Sequence, residues 1–257
     1  MLEVISPLKG FAIEATDGRM GTVVDFLFDD ASWKVRWLVV DCGNWLKGRK
    51  VLIHPPAVSF AGLEDRQFEV KLTKAQVEGS PEWLEHQPVS QQMQSLLYDY
   101  YGWDPAWGGP YLGGVTGAMA SPMLAPPYLG LQMEDEPRAD IDESQAGDPH
   151  LRSIVEVTGY HIHAIDGDIG HVENFMFDHD AWSLPYFVVA TSNWWLGNRV
   201  LIATHSVETI EWSERRVRLL VSREQVRTSP TWDPRVAFDR IDAAHLDTHD
   251  ERPGSRV

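Results

Sequence analysis

Apolar and polar positions alternate along the N-terminal part of this chain in short runs broken by turn residues. Phe11 to Ala15 is a brief apolar run that ends at Asp17-Gly18, a dipeptide that favours hairpin turns. Gly21 to Phe28 alternates Val and Phe, which predicts residues 24, 26 and 28 on one face and 23, 25 and 27 on the other. Asp29-Asp30-Ala31-Ser32 turns the chain into Trp33 to Asp41, whose centre, Trp37-Leu38-Val39-Val40, is apolar on both faces. A turn at Asn44-Trp45 then leads to Lys50 to Ile53. In Arg66 to Leu72, Gln67, Glu69 and Lys71 alternate with Phe68, Val70 and Leu72. Short strands at this spacing suit a small closed barrel, which removes exposed sheet edges.

Helical patterns come after the strands. Thr73 is an N-cap for Lys74 to Glu78, and Ser222 stands at the matching place later in the chain. Ser80-Pro81 and Ser229-Pro230 each set a capping Ser before a Pro at a first helical position. Val89, Met93, Leu96, Leu97 and Tyr100 recur at helical spacing, so Ser90 to Tyr101 is expected to form an amphipathic helix.

The strand pattern occurs twice. NWLKGRKVLI from Asn44 and NWWLGNRVLI from Asn193 set an offset of 149 residues, and the register holds without a gap from about Gly10 to Trp83. Ile13, Asp17, Gly18, Gly21, Phe26, Phe28, Asp29 and Trp33 fall on Ile162, Asp166, Gly167, Gly170, Phe175, Phe177, Asp178 and Trp182. Gln76, Val77, Ser80, Pro81 and Trp83 fall on Gln225, Val226, Ser229, Pro230 and Trp232. The chain reads as a tandem duplication. Trp45 and Trp194 are expected to fold over a barrel opening as apolar plugs, whereas Trp195, which replaces Leu46, is expected to be exposed.

Composition narrows the classes of function. Of 257 residues, 43% are hydrophobic and 23% charged, enough to bury a core. A formal net charge of −16 repels phosphate backbones, which argues against direct nucleic-acid binding. The lone Cys42 leaves no disulfide framework and no cysteine zinc site. The start, MLEVISPLKGF, has no basic stretch followed by an apolar run, so no signal peptide is read and a cytoplasmic location is expected. Residues 102–133 are rich in Gly, Pro and aromatics and uncharged between Asp104 and Glu134, but Pro110, Pro122, Pro126 and Pro127 break any membrane-spanning helix. Residues 134–148 are acidic and read as a solvated linker.

The search for chemistry finds little. His161 and His163 lie on one strand face, with Asp166, Asp168 and His171 just beyond a turn, and these two histidines are the candidate ligands should a metal bind. The first copy carries Ala12 and Glu14 in their places, so no metal is assigned. Asp29-Asp30 and Asp178-His179-Asp180 read as turn carboxylates bonding local backbone amides. There is no G-x-S-x-G, P-loop, dinucleotide fingerprint or H-E-x-x-H motif, and Cys42 becomes Thr191 in the second copy. No enzyme is read, and no cofactor. Tyr98, Tyr100, Tyr101 and Trp103 read either as part of a connector that packs back on a barrel or, with Trp107 and Trp195, as a binding surface of aromatics that orders against a partner or a second copy of the chain.

Taken as a set, Asp17-Gly18-x-x-Gly21, Phe26-x-Phe28-Asp29, Leu38-Val39-Val40, Lys50-Val51-Leu52-Ile53 and Lys74-x-Gln76-Val77-x-x-Ser80-Pro81 resemble the PRC-barrel family. That family includes the H subunit of purple bacterial photosynthetic reaction centres and the ribosome maturation factor RimM. The resemblance implies a mainly β fold of two small PRC-type barrels in tandem, each with short C-terminal helices, joined by a Gly/Pro/aromatic linker. The expected division is repeat one at 1–87, a helix with its linker at 88–150, repeat two at 151–235, and a tail at 236–257. The resemblance also implies docking on other macromolecules, since family barrels dock on a membrane complex or a ribosomal protein. A non-enzymatic scaffolding module with a protein partner, peripheral to a membrane complex or self-associating, is the leading expectation. The alternative is a regulator that binds a small ligand or metal through the His161/His163 face. If the two barrels are independent, cutting within 134–148 leaves two folded halves.

Overall fold

The computed structural model of the chain describes residues 2–46, 48–60, 64–81, 89, 91–103, 148, 150–191, 199–229 and 231–232. The N-terminal half holds β1 (Leu2–Val4), β2 (Ala12–Ala15), β3 (Gly18–Asp29), β4 (Lys34–Asp41), β5 (Lys50–Ile53), β6 (Val58–Phe60) and β7 (Gln67–Val70), followed by helix α1 (Lys74–Glu78). Helix α2 spans Gln91–Tyr101. The C-terminal half holds β8 (Leu151–Ser153), the one-turn helix α3 (Ile154–Val157), β9 (His161–Ala164) and β10 (Gly167–Asp178). It continues with β11 (Ser183–Thr191), β12 (Arg199–Ala203), β13 (Val207–Glu211), β14 (Arg216–Leu219) and helix α4 (Arg223–Thr228). The described residues of Met1–Gly79 and His150–Val257 form one compact unit, and those of Ser80–Pro149 a second.

All the strands belong to one open sheet. Its path runs β13-β14-β9-β10-β11-β4-β3-β2-β7-β6, with β1 added to β10, β12 to β11, β5 to β4 and β8 to β3. The path does not close into a ring, where the sequence pattern predicted closed barrels. Each half instead covers part of the other. Strand β1 pairs antiparallel with β10, Leu2 opposite Asp178 and Val4 opposite Met176. Strand β8 pairs with β3, Leu151 opposite Asp29 and Ser153 opposite Leu27. Applying the 149-residue offset to the first pairing gives the second, so the exchange is reciprocal. The seam between β4 and β11 has the same symmetry. Lys34 stands opposite Ser183, Val35 N donates to Trp182 O at 2.8 Å, and Leu184 N donates to Trp33 O at 2.9 Å.

Backbone conformation repeats at the same offset. Trp33 and Trp182 have φ of 56° and 49°, and Arg66 and Arg215 have 49° and 50°. Bulky side chains rarely adopt this left-handed region, so its recurrence at paired positions reflects the same local turn. Gly21 and Gly170 have no room for a side chain. A Cβ there would lie 2.2 Å from Asp41 O or 2.0 Å from Ala190 O, both backbone of the neighbouring strand.

The core is continuous between the halves. Phe26 meets Phe177 at 6.1 Å between ring centres, and Phe28 meets Phe175 at 5.7 Å, again a reciprocal pair. Trp33 stacks on Phe28 and meets Phe187 edge-on, while Trp182 meets Phe177. The four phenylalanines are fully buried, each contributing roughly 1.5–3 kcal/mol by leaving water.

Several expectations about elements hold. Trp37 to Val40 are all buried, as are Phe68, Val70 and Leu72. Thr73 with Gln76, and Ser222 with Gln225, form capping boxes at the starts of α1 and α4. The predicted alternation in β3 fails because the register shifts between Val23 and Asp25, a bulge that turns Val23 and Phe26 both inward. Where Ser229-Pro230 was expected to open a helix, Thr231 instead bridges to Val200 and Trp232 N donates to Arg199 O at 2.8 Å. No helix among the described residues is long and apolar enough to cross a membrane.

Candidate protein-interaction site

Helix α2 carries three of the aromatics singled out in the sequence, Tyr98, Tyr100 and Tyr101, and Trp103 follows just beyond its end. It ends where Gly102, at φ 67°, turns left-handed, so that Trp103 N donates to Tyr98 O at 3.0 Å, the long bond of a Schellman end. That return sets the Trp103 ring flat against Tyr101, 4.1 Å between centres and 17° between planes. Tyr100 meets Tyr101 edge-on at 4.8 Å. Tyr100, Tyr101 and Trp103 are thus one cluster, while Tyr98 is buried. The apolar stripe is not wholly inward: Leu97 and Val89 are buried, but Leu96 is 49% and Tyr100 45% exposed. In the same unit Asp148 N donates to Val89 O at 3.0 Å and Gln94 Nε2 donates to Asp148 Oδ2 at 2.9 Å. Trp107, Trp194 and Trp195 lie outside the described residues.

Trp45 is not the buried plug that the sequence suggested. It is 36% exposed, on a short 3₁₀ turn from Gly43 to Leu46, and its indole N–H donates to Met20 O. An exposed apolar pair went unnoticed in the sequence. Ile165, at the tip of the β9–β10 hairpin, is 68% exposed and Leu220 42% exposed. The hydrogen bond from Ile165 N to Val221 O, 3.1 Å, brings them together. The first half has Thr16 and Lys71 at those places, so this apolar spot belongs to the second half alone.

His161 stands opposite His171 and His163 opposite Asp168 in the β9–β10 hairpin. His163 Nδ1 lies 2.8 Å from Asp168 Oδ1, and this contact holds the Asp168 carboxyl below its usual range. No group of three His, Cys, Asp or Glu side chains set to hold a metal ion occurs among the described residues.

Asp29 behaves as read, its Oδ1 accepting from Ala31 N at 3.1 Å, Ser32 N at 2.7 Å and Ser32 Oγ at 2.8 Å. Asp17 has a further role, accepting from Lys74 N at 2.9 Å, while Asp166 accepts from Arg223 N at 2.7 Å. Both carboxylates favour the start of a helix. Asp30 does something the sequence did not suggest. Its Oδ1 lies 2.8 Å from His150 Nδ1 and its Oδ2 lies 2.7 Å from Arg152 Nε, with about a tenth of each of the Asp30 and Arg152 side chains exposed. The Arg152 N–H is not squarely aimed at the oxygen, so the contact is an ion pair more than a hydrogen bond. The Arg152 guanidinium also lies over the Trp212 ring, 5.1 Å from its centre.

Two buried groups complete the picture. The Cys42 thiol is pushed up to about 11, first by burial and then by the Asp41 charge, which removes its thiolate character at neutral pH. His54 is fully buried beside the Trp37 ring, 5.3 Å between centres.

Residues 4–77 match the PRC-barrel domain family, and a PRC-barrel domain is found there. No curated protein matches the chain.

Proposed function

We propose that this protein is a non-enzymatic scaffolding module that docks on a protein partner, built from two copies of a PRC-barrel fold, the second a divergent duplicate of the first. The PRC-barrel domain at residues 4–77 carries the reading, because the family it resembles works by docking on larger assemblies. The matching turns at Trp33 and Trp182 and at Arg66 and Arg215 support the duplication. The aromatic cluster of Tyr100, Tyr101 and Trp103 supports a binding role, since aromatic side chains anchor protein interfaces. Trp107 and Trp195 extend the proposed contact set. The protein works in the cytoplasm, where it joins a larger assembly without a cofactor.

The test is crosslinking and affinity capture from the native cell, comparing the full chain with Tyr100→Ala/Trp103→Ala. A specific protein recovered with the full chain and reduced at least tenfold with the variant supports the reading. Equal recovery moves the site to the sheet, and no partner with either form defeats it.

A further inference from the structure

The two halves meet through equivalent residues, yet the charges at those residues are opposite in sign. Asp30, in the turn after β3, pairs with Arg152 on β8. The 149-residue offset carries Asp30 to His179, in the turn after β10, and carries Arg152 back to Glu3 on β1. Glu3 stands opposite Phe177, two residues before His179, and against the larger effect of burial the charges of His179 and the N-terminus favour its ionised form. One side of the interface therefore has its acid in the turn and its base on the strand, and the other has the reverse.

We propose that this charge inversion makes the interface selective: each half is built to pair with the unlike half and to reject a second copy of itself. Two N-terminal halves joined in this register would bring Glu3 to Asp30, whose side chain is only 12% exposed and thus poorly screened. They would also place Val4 where Ser153 now donates its hydroxyl to Asp25 Oδ2, a 2.5 Å bond. Two C-terminal halves would bring Arg152 to His179, which already has Asp180 at 3.1 Å, and would strip both Arg152 and His150 of Asp30. Repulsion against the wrong pairing is the usual way in which related surfaces are kept apart. It matters here because a face that matched itself would link separate chains through their like halves.

The inference rests on the halves being equivalent copies, and it concerns how they pair, not what they dock on. The test uses the full chain and reads mass by light scattering over a range of concentrations. Glu3→Arg/Arg152→Glu makes each half self-complementary and sets like charges across the native interface. This variant is expected to lose thermal stability and to gain a species of at least twice the wild-type mass that grows with concentration. Adding Asp30→Arg and His179→Glu restores opposite charges across the unlike interface, and the fourfold variant is expected to return to the wild-type mass. Wild-type mass and melting behaviour in the twofold variant would overturn the proposal. If the twofold variant fails to fold, a fourfold variant that also fails would overturn it. Partner capture is not read in this assay, so its outcome is separable from that of the scaffolding proposal.

Discussion

Lys34 and Ser183 stand directly opposite each other where β4 meets β11, and each is the residue that the 149-residue offset assigns to the other. An antiparallel pair between equivalent positions is what a two-fold axis produces. Lys34 Nζ donates to Ala181 O at 2.9 Å across this seam, so the halves are joined by side chain and backbone alike.

Cleavage of the linker is therefore expected to leave a non-covalent complex. With a protease site placed within 134–148, the two fragments are expected to co-elute and to unfold in one transition. Fragments that separate and each melt cooperatively on their own would contradict the shared core.

The same core makes loss of one ring a loss to both halves. Phe26→Ala and Phe177→Ala are each expected to cost about 3–5 kcal/mol in chemical denaturation. The double variant is expected to cost less than the sum, because the rings touch. Strict additivity would show that the contact carries no coupling.

Gly21→Ala places a methyl 2.2 Å from Asp41 O, which no side-chain movement can relieve. A loss of roughly 1–3 kcal/mol is expected, measured as a lowered denaturation midpoint. Gly10→Ala, where no atom lies within 4 Å but φ is 87°, is the control for backbone strain without a clash. Equal effects would mean that the strand contact is unimportant.

His54 titrates far below its ordinary value, held down to about 3 by burial first and then by the Arg36 charge. The folded state therefore stays neutral while the unfolded state takes a proton. The resulting stability is present above pH 6.5 and is lost as pH falls towards 3. It amounts to roughly 5 kcal/mol at full expression. In His54→Leu, the fall in unfolding free energy between pH 7 and 4 is expected to be smaller than in the wild type. Parallel pH curves would refute the assignment.

Local features of the fold were legible because their causes are local. The β2–β3 hairpin follows from Asp17-Gly18, and the capping boxes from Thr73/Gln76 and Ser222/Gln225. The offset itself was visible in the repeated motifs. What stayed hidden depended on distant partners. Leu2–Val4 and Leu151–Ser153 share a position but little composition, so nothing in them announced that each would join the other half. The β3 bulge broke a regular alternation without a glycine to mark it. Of the interaction site, the aromatics of 98–103 could be named, but their stacking required the left-handed turn at Gly102. Ile165 and Leu220 were missed because single exposed apolar residues carry no pattern, and their adjacency arises from the pairing of separate strands.

Strand exchange also sets an order of events during synthesis. Phe28 leaves the ribosome long before Arg152, its partner on β8. At about 5–20 residues per second the wait is roughly 6–25 s. Through that interval the edge of β3 is uncovered, and Phe26 and Phe28 lack their Phe177 and Phe175 neighbours. The nascent N-terminal half thus presents an unpaired strand edge and apolar surface until the second half arrives, and slow codons between the halves would lengthen that exposure.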